Sequence, residues 1–228
     1  MATSPASEAM VHVVTIDGPA ASGKGTVAQG VAQELGFHYL DSGALYRLVG
    51  YLALRHAVSW NDEIALAALA HGLDARFEGG KIILSNEEVT EAIRSEACSD
   101  AASRVACVPS VRQELLAWQR DCRRPPGLVT DGRDMGSVVF PNAEVKIFLT
   151  ASPEARAMRR YKQLKDKGIN ANLAVLLQDL IDRDQRDSKR EVAPLVQFPG
   201  SCLLDTTNMT AAEAIRQVIE WCEGVLRL

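Results

Sequence analysis

A glycine-rich stretch near the start of the chain contains the residue types that bind phosphate. It reads GPAASGKGT and covers residues 18–26, between an apolar strand-like run and a helical pattern. Gly18 and Gly23 let the backbone approach an anion closely, and successive N–H groups and a helix N-terminus can then surround it. Lys24 can reach the β- and γ-phosphates of a nucleotide. The stretch is therefore predicted to be a phosphate-binding loop, or P-loop.

The loop departs from the common P-loop pattern at one position. A Ser or Thr usually follows the lysine directly and binds Mg²⁺, whereas this chain has Gly25 there and supplies its hydroxyl at Thr26. The alternative is a glycine-rich turn with an incidental lysine. The apolar run before the loop and the helical pattern after it favour the P-loop, because that motif requires both a strand and a helix.

Two carboxylates and an arginine follow a short apolar run later in the chain. Asp131 ends the run LVTD, and Arg133 and Asp134 follow it after Gly132. In P-loop proteins a carboxylate at such a strand end commonly holds magnesium. Burying three charges so close together is costly without a charged ligand. The alternative is a loop in which the three charges pair only with one another.

Two further segments are rich in arginine. In RDQRDSKR (183–190), the residues Arg183, Asp187 and Arg190 are spaced to share one helical face. A solvated helix face is the alternative there. The segment 156–168 carries several arginines, which could stabilise charge on a transferred phosphoryl group. That segment is either a basic lid or an ordinary surface helix, and its composition does not separate the two.

The composition limits the classes of protein that fit. The chain has 228 residues, a hydrophobic content of 47% and a net charge of −4, so nothing in it calls for a nucleic acid partner. The five cysteines are scattered without CxxC spacing, which favours reduced thiols in the cytoplasm and argues against a zinc site. No apolar run is long enough to cross a membrane. Residues 1–10 are expected to be a flexible tail and not a signal peptide.

Apolar runs alternate with helical patterns along the chain. Predicted strands cover 11–17, 37–40, 128–131, 145–149 and 202–205. Predicted helices cover 24–35, 44–56, 62–71, 111–123, 153–167, 173–188 and 210–226. Between them, 75–84 has the pattern of a β-hairpin and 87–109 that of a helix. The alternation predicts one α/β domain over 11–228, with a five-stranded parallel sheet between helices and with ligands at the carboxyl ends of the strands.

Four segments stand out when they are taken together. They read IDGPAASGKGT, LDSGALYR, DGRDMGSVVFPNAEVKIFL and RDQRDSKREVAPL. These segments resemble the bacterial cytidylate kinases, a family of P-loop nucleoside monophosphate (NMP) kinases, and the likeness extends over residues 12–226. The resemblance implies an enlarged NMP-binding insertion and a short helical lid. The core would comprise 11–40, 110–152 and 200–228, the NMP-binding region with its insertion 41–109, and the lid and arginine helices 153–199.

The resemblance also implies a role for each matching residue. The ATP-binding residues would be Gly18, Pro19, Ala20, Ala21, Ser22, Gly23, Lys24, Gly25, Thr26, Arg156 and Arg160. The CMP-binding residues would be Ser42, Arg47, Ser103, Arg112, Arg133, Asp134, Arg183, Asp187 and Arg190. Lys24, Arg133, Arg183 and Arg190 would be catalytic. Thr26 and Asp131 would bind Mg²⁺, partly through water.

Within the implied CMP site, Asp134 would contact the base together with Ser103 and Arg112. Cytosine presents an amino donor that a carboxylate can accept from, whereas uracil presents an acceptor at that position. We therefore expect CMP and dCMP to be preferred over UMP, because a buried polar group that loses its partner costs free energy.

Two alternatives lie outside this prediction. UMP, AMP or shikimate would be another acceptor within the same class of enzyme. A nucleotide-dependent switch, which transfers no phosphoryl group to a small acceptor, belongs to a different class, but it does not need the second set of arginines. The preferred interpretation is a cytoplasmic enzyme that uses ATP, CMP or dCMP and Mg²⁺, with neither nucleic acid nor membrane as a partner. The resemblance further implies a monomer.

Overall fold

A computed structural model describes residues 11–226, so the predicted tail at 1–10 lies outside the described residues. The strands are β1 His12–Asp17, β2 His38–Asp41, β3 Ala75–Glu78, β4 Lys81–Leu84, β5 Glu87–Glu88, β6 Gly127–Gly132, β7 Val145–Thr150 and β8 Cys202–Asp205. The helices are α1 Lys24–Leu35, α2 Ser42–Arg55, α3 Glu63–His71, α4 Glu96–Val105, α5 Pro109–Asp121, α6 Pro153–Asp166, α7 Leu173–Lys189 and α8 Ala211–Leu226. A 3₁₀ turn covers Ala92–Arg94 and a π-helical turn covers Met135–Val139.

The main sheet has five parallel strands in the order β2-β6-β1-β7-β8, which confirms the predicted fold class. One apolar cluster covers one face with residues of α2, α3, α4 and α5, and a second covers the other face with residues of α1 and α8. The strands are parallel, so their carboxyl ends meet at one edge. The P-loop follows β1 there, α2 follows β2, and the residues Arg133 and Asp134 follow β6.

The inserted region contains one more strand than predicted. Glu87 and Glu88 form β5 and pair with β4 in a three-stranded antiparallel sheet, so the helix predicted from residue 87 is wrong at its start. Ser85 and Asn86 have φ of 48° and 70°, which closes a tight hairpin turn between the two strands. The helix α4 begins only at Glu96, where the Ser95 hydroxyl caps it.

The predicted helical face of 183, 187 and 190 is only partly correct. The helix α7 ends at Lys189, and Arg190 has extended backbone angles, with φ −62° and ψ 140°. Arg190 therefore reaches the site from the loop that follows the helix. The chain then turns back so that the Leu195 N–H donates to the Asp187 carbonyl over 2.8 Å, with Ala193 at φ 52°.

Candidate active site

A large cleft of about 2790 Å³ opens at the carboxyl ends of the sheet. Its walls include the P-loop, the start of α2, the turn after β6, and facing parts of α4, α6 and α7. The structure therefore brings to one place the motifs that are far apart in the sequence. Within residues 11–226, no group of three or more His, Cys, Asp or Glu side chains is arranged to hold a metal ion.

The shape of the P-loop depends on glycines at two positions and on the packing of a small apolar side chain. Gly23 has φ 96°, and a Cβ at Gly18 would lie 2.0 Å from the Leu149 carbonyl oxygen, so both positions favour glycine. Ala20 is buried against Ala157 of α6 and Leu180 of α7. Small apolar contacts thus seat the loop against the two arginine-bearing helices.

Two arginines of α6 bind the outer carbonyls of this loop. Arg156 donates to the Ala20 carbonyl over 3.1 Å, and Arg159 donates to the Ser22 carbonyl over 2.9 Å. Arg156 is buried and pairs with Asp184 of α7 at 2.6 Å. Its guanidinium is thereby engaged by the protein, so its role as an ATP contact stays a prediction that the geometry does not favour. Sequence reasoning did not assign a role to Arg159 and did not name Asp184.

The second predicted ATP contact of α6 lies on the cleft wall. Arg160 pairs with Glu96 of α4, with its Nε 2.8 Å from the carboxylate oxygen. The pair is partly exposed, so Arg160 can leave Glu96 for a phosphate at little cost. Its role as an ATP contact also stays a prediction.

The catalytic lysine candidate lies near the strand-end carboxylate. The Lys24 Nζ is 4.0 Å from an Asp131 carboxylate oxygen and donates to the Pro19 carbonyl over 3.3 Å. Tyr39 donates to the other Asp131 oxygen over 2.7 Å. Burial and the nearby Arg133 lower the pKa of Lys24, while burial and the negative charge of Asp41 raise the pKa of Asp131. Both shifts follow mainly from the removal of the two side chains from water, which disfavours their charged forms.

The start of α2 brings together the predicted site residues Ser42 and Arg47 and one residue that was not predicted, Asp41. Asp41 caps the helix, with the Ala44 N–H donating to it over 3.1 Å, and it forms an ion pair with Arg47. Because this cap exists, α2 begins at Ser42 and not at residue 44 as predicted. Ser42 is buried and donates to the Asp131 carbonyl over 2.7 Å, so it ties α2 to the end of β6. The contribution of Asp41 was missed.

Asp134 lies in a buried pocket between two arginines. Arg112 of α5 forms an ion pair with it, and Arg190 pairs with its other oxygen at 3.3 Å. The Tyr46 hydroxyl accepts a second bond from Arg112 over 3.2 Å. All three charged side chains are buried. A carboxylate held by two buried arginines can present a fixed acceptor to a ligand, because its orientation is already determined.

Arg133 and Arg183 form a second cationic group beside this pocket. Arg133 pairs with Asp187 at 2.7 Å, and the Ser103 hydroxyl is 3.4 Å from the same carboxylate. Burial lowers the pKa of Arg183 to about 10, helped by the positive charge of Arg133. Burial opposes ionisation of Asp187, but Arg133 and Arg183 more than offset it and lower the pKa of that carboxyl. Asp187 thus forms an ion pair with Arg133 and also lies within the field of the positive charge on Arg183.

Arg183 is partly buried, and it is less completely paired than the buried arginines Arg112 and Arg190. It donates to the Ser99 hydroxyl of α4, while its buried Nε has no hydrogen-bond partner among the described residues. The Nε of Arg47 is in the same condition. Buried donors without acceptors are costly, so this side of the cleft suits an anionic ligand with several oxygens.

A carboxylate at the base of the site was also missed. Asp17 ends β1, directly before the P-loop, and is completely buried. Burial raises its pKa to about 7, although it accepts two backbone N–H bonds that favour the charged form. The sequence gives little signal for this residue, because only the sheet order shows what it faces.

Comparisons with known proteins show the family to which this chain belongs. The sequence profile of the cytidylate kinase family matches residues 14–223. A cytidylate kinase of Chromobacterium violaceum is 56% identical, covering 93% of this chain and 96% of the relative. One of Nitrosomonas europaea is 53% identical, covering 92% and 94%. A crystal structure of an uncharacterized protein from Eubacterium ventriosum matches in fold alone, with 10% identity, a TM-score of 0.54 and coverage of 94% and 99%. The resemblance seen in the sequence is confirmed, and the chain belongs to the cytidylate kinase family.

Proposed function

We propose that this protein transfers the γ-phosphoryl group of ATP to CMP or dCMP, giving ADP and CDP or dCDP in pyrimidine nucleotide metabolism. The observation that carries the proposal is the presence of two cationic sets in one cleft. One set is the P-loop with Lys24, and the other is the arginine group around Asp187. A nucleotide switch needs the first set only. Membership of the family supports the same conclusion.

The P-loop would hold the ATP phosphates, with Lys24 on the transferred group. Asp131 and Thr26 fit a magnesium site in chemistry, because Mg²⁺ takes oxygen ligands and is usually held by one or two protein groups together with substrate phosphates. Asp131 presents carboxylate oxygens, and Thr26 is an exposed hydroxyl next to the loop. When bound, the ion would neutralise charge on the phosphates.

The acceptor nucleotide would occupy the side of the cleft between α2, α4 and α7. Arg47, Arg133 and Arg183 would contact its phosphate. Asp187 would take a ribose hydroxyl, and it already lies beside Ser103. Each of these charged groups has a protein partner in the structure, so substrate would exchange some of these pairs for its own oxygens and hydroxyls.

The buried pocket at Asp134 would read the base. Its carboxylate accepts hydrogen bonds only, which suits the amino group of cytosine and opposes the carbonyl of uracil. Arg112 can donate to the acceptors of the same base. The discrimination should be large, because a uracil carbonyl facing this buried carboxylate finds no donor there and is repelled by its negative charge.

The mechanism requires positioning and charge stabilisation. A phosphate oxygen of CMP attacks the γ-phosphorus in line, and the bond to the β-phosphate oxygen breaks. Lys24, Arg133, Arg183 and Arg190 would stabilise the charge that spreads over the transferred group. No general base is needed, since the attacking oxygen is already anionic. Closure of the 156–168 segment over the cleft would exclude water, which otherwise competes as acceptor.

The proposal includes the setting of the enzyme. We place the core at 11–40, 110–152 and 200–228, the NMP-binding region at 41–109, and the lid and arginine helices at 153–199. The enzyme would act as a cytoplasmic monomer without nucleic acid or membrane. The negative net charge supports this setting, as do the five cysteines, which all lie in the described part and are free thiols. No helix in the described residues is long and apolar enough to span a bilayer.

The test is a coupled measurement of ADP release with Mg-ATP. CMP, dCMP, UMP, AMP, GMP and shikimate are offered as separate acceptors, beside a control without acceptor. Turnover confined largely to CMP and dCMP is the expected result. Turnover with a different acceptor would keep a kinase but overturn the role of Asp134, and ATP loss that ignores every acceptor would favour a switch or an ATPase.

A further inference from the structure

We propose that Asp17 is a positioning residue that fixes the turn carrying Arg133 and Asp134 relative to the P-loop, and that it thereby sets the binding of the acceptor nucleotide. The turn comprises residues 132–136. The inference rests on the proposed function for its substrates. The contacts of Asp17 that carry it do not depend on the identity of those substrates.

The Asp17 carboxylate connects two functional segments. The residue is the last of β1, and Gly18 begins the P-loop directly after it. One carboxylate oxygen accepts from the Met135 N–H and the other from the Gly136 N–H, each over 2.8 Å. These are the two peptide groups directly after Asp134. One side chain at the start of the donor loop therefore holds the backbone of the acceptor turn.

The adjacent strands reinforce this connection. β1 and β6 are parallel neighbours, with Asp17 opposite Gly132. The Gly18 N–H donates to the Gly132 carbonyl over 3.3 Å. The P-loop and the acceptor turn thus begin side by side, at the ends of the neighbouring strands β1 and β6. The Asp17 carboxylate adds hydrogen bonds between them beyond the last residue pair of these strands.

The turn is also packed closely against its surroundings. A Cβ at Gly136 would lie 2.6 Å from the Thr15 hydroxyl of β1 and 2.7 Å from the Phe198 ring. On the other side, a Cβ at Gly132 would lie 2.6 Å from the Ser42 hydroxyl. The turn therefore has one position between β1 and α2, and a small displacement must move Asp134 within its arginine pocket.

The P-loop and the acceptor turn differ in the contacts that support them besides those with Asp17. The P-loop also accepts bonds from Arg156 and Arg159, which reach its Ala20 and Ser22 carbonyls and do not involve Asp17. The N–H groups of Met135 and Gly136 are buried and have Asp17 as their acceptor. Loss of the carboxylate should therefore displace the acceptor turn and leave the donor loop in place.

Asp17→Asn tests the inference, because asparagine keeps the size but offers one acceptor oxygen in place of two. We expect the KM for CMP to rise about tenfold and the preference for CMP over UMP to fall about fivefold, since small displacements of positioning groups carry large kinetic effects. The KM for ATP should stay within about twofold, because the P-loop supports remain. Each KM is measured with the other substrate at saturation, and the preference is measured as the ratio of kcat/KM for CMP to that for UMP.

Val218→Ala in α8 is the matched control. Val218 is completely buried in the cluster on the other face of the sheet and has no contact role at the turn. Its truncation should lower the melting temperature without changing either KM or the CMP:UMP ratio. If Asp17→Asn behaves like this control, Asp17 only stabilises the fold and the inference is wrong.

Gly136→Ala provides a second variant that does not touch the carboxylate. The added methyl group would push the same turn away from β1, so the same pattern is expected, namely a raised KM for CMP and a weakened base preference. An unchanged KM for CMP in this folded variant would also contradict the inference.

Amide hydrogen exchange of the wild-type protein without nucleotide separates the inference from the proposed function. The Met135 and Gly136 amides should exchange as slowly as those of β1, and fast exchange would overturn the inference even if neither variant folds. In Asp17→Asn these two amides should lose protection while residues 18–26 keep theirs. If the wild type does not phosphorylate CMP but shows this exchange pattern, only the proposed function fails.

Discussion

The donor and acceptor sides of the cleft are organised by different interactions. The P-loop is held through backbone carbonyls, which Arg156 and Arg159 bind from outside. The acceptor side is organised by pairs of side chains, in which Asp134, Asp187 and Asp41 each hold one or two arginines. The P-loop is thus supported by contacts with protein groups outside it. Paired side chains instead keep buried charges satisfied until substrate takes over part of the pairing.

The difference predicts where substitutions will act. Changes behind the P-loop should affect ATP alone, and changes within the acceptor pairs should affect CMP and the chemical step. Substitutions on each side should therefore change the kinetic constants of one substrate and leave those of the other unchanged.

The largest effect is expected for Arg183→Ala. Removal of this cation should lower kcat by about 10²–10³, as does the loss of one preorganised donor in other enzymes. The KM for CMP should change far less, because Arg183 acts mainly on charge that develops during transfer. Steady-state kinetics with CMP varied at saturating ATP measure both constants. Arg186→Ala is the control on the same helix, since Arg186 is partly exposed and pairs with Asp100 at 2.7 Å. Unchanged kcat in the first variant would remove Arg183 from the site.

A somewhat smaller but more specific effect is expected for Asp134→Asn. The asparagine amide has one acceptor oxygen where the carboxylate has two, and it leaves Arg112 and Arg190 without their charged partner. We therefore expect kcat/KM for CMP to fall about 10²-fold. The value for UMP should fall less or rise, because the amide N–H can donate to a uracil carbonyl. The ratio of the two constants is the measurement. A ratio equal to that of the wild type would exclude Asp134 from base recognition.

Arg159→Ala should affect the donor side alone. Loss of its bonds to the Ser22 carbonyl and to Thr206 should loosen the P-loop and raise the KM for ATP about tenfold, because misplaced binding groups weaken binding and catalysis. The KM for CMP should not change. Lys165→Ala, an exposed position on the same helix, is the control. Equal increases for both substrates would show that donor and acceptor sides are not supported separately.

The smallest effect concerns the pH dependence of stability at the boundary of the two sides. Burial raises the pKa of Asp17 to about 7, with Asp134 adding to the increase and Arg133 opposing it. An unfolded aspartate titrates near pH 4, about its reference value. The folded protein therefore binds more protons than the unfolded chain between these values, and the contribution of Asp17 to stability falls as the pH rises towards 7.

Urea unfolding of the wild type and of Asp17→Asn between pH 5 and 8 measures this contribution. The free energy of unfolding of the wild type should decline more steeply up to about pH 7 than that of the variant, which lacks the titrating group. Parallel pH profiles would show that Asp17 does not carry a raised pKa.

Local patterns in the sequence were sufficient to predict the sheet and the edge of it at which the candidate site residues lie. Residues that follow strand ends, such as Lys24, Asp131 and Arg133, could be placed because parallel strands end at one edge. Pairings such as Arg112 with Asp134 could not be derived from spacing. Their assignment to the CMP site came from the resemblance, and the structure adds that the two side chains are in contact.

The misses have physical causes. Asp17 and Arg159 act on segments that only the strand order brings near them, so no periodicity marks them. Arg156 looks like a lid arginine in the sequence, but its burial depends on Asp184 in the next helix. The strand β5 was missed because the positive φ angles at Ser85 and Asn86 occur without a glycine. Acidic residues such as Glu87 are also poor strand formers.

The central claim is that one cleft binds a phosphoryl donor and a phosphate acceptor together. The most direct measurement is the stoichiometry of products when Mg-ATP and CMP are incubated with the protein and separated by anion-exchange chromatography. The account predicts equal amounts of ADP and CDP and no inorganic phosphate above the control. ADP accompanied by inorganic phosphate, with no CDP, would contradict it.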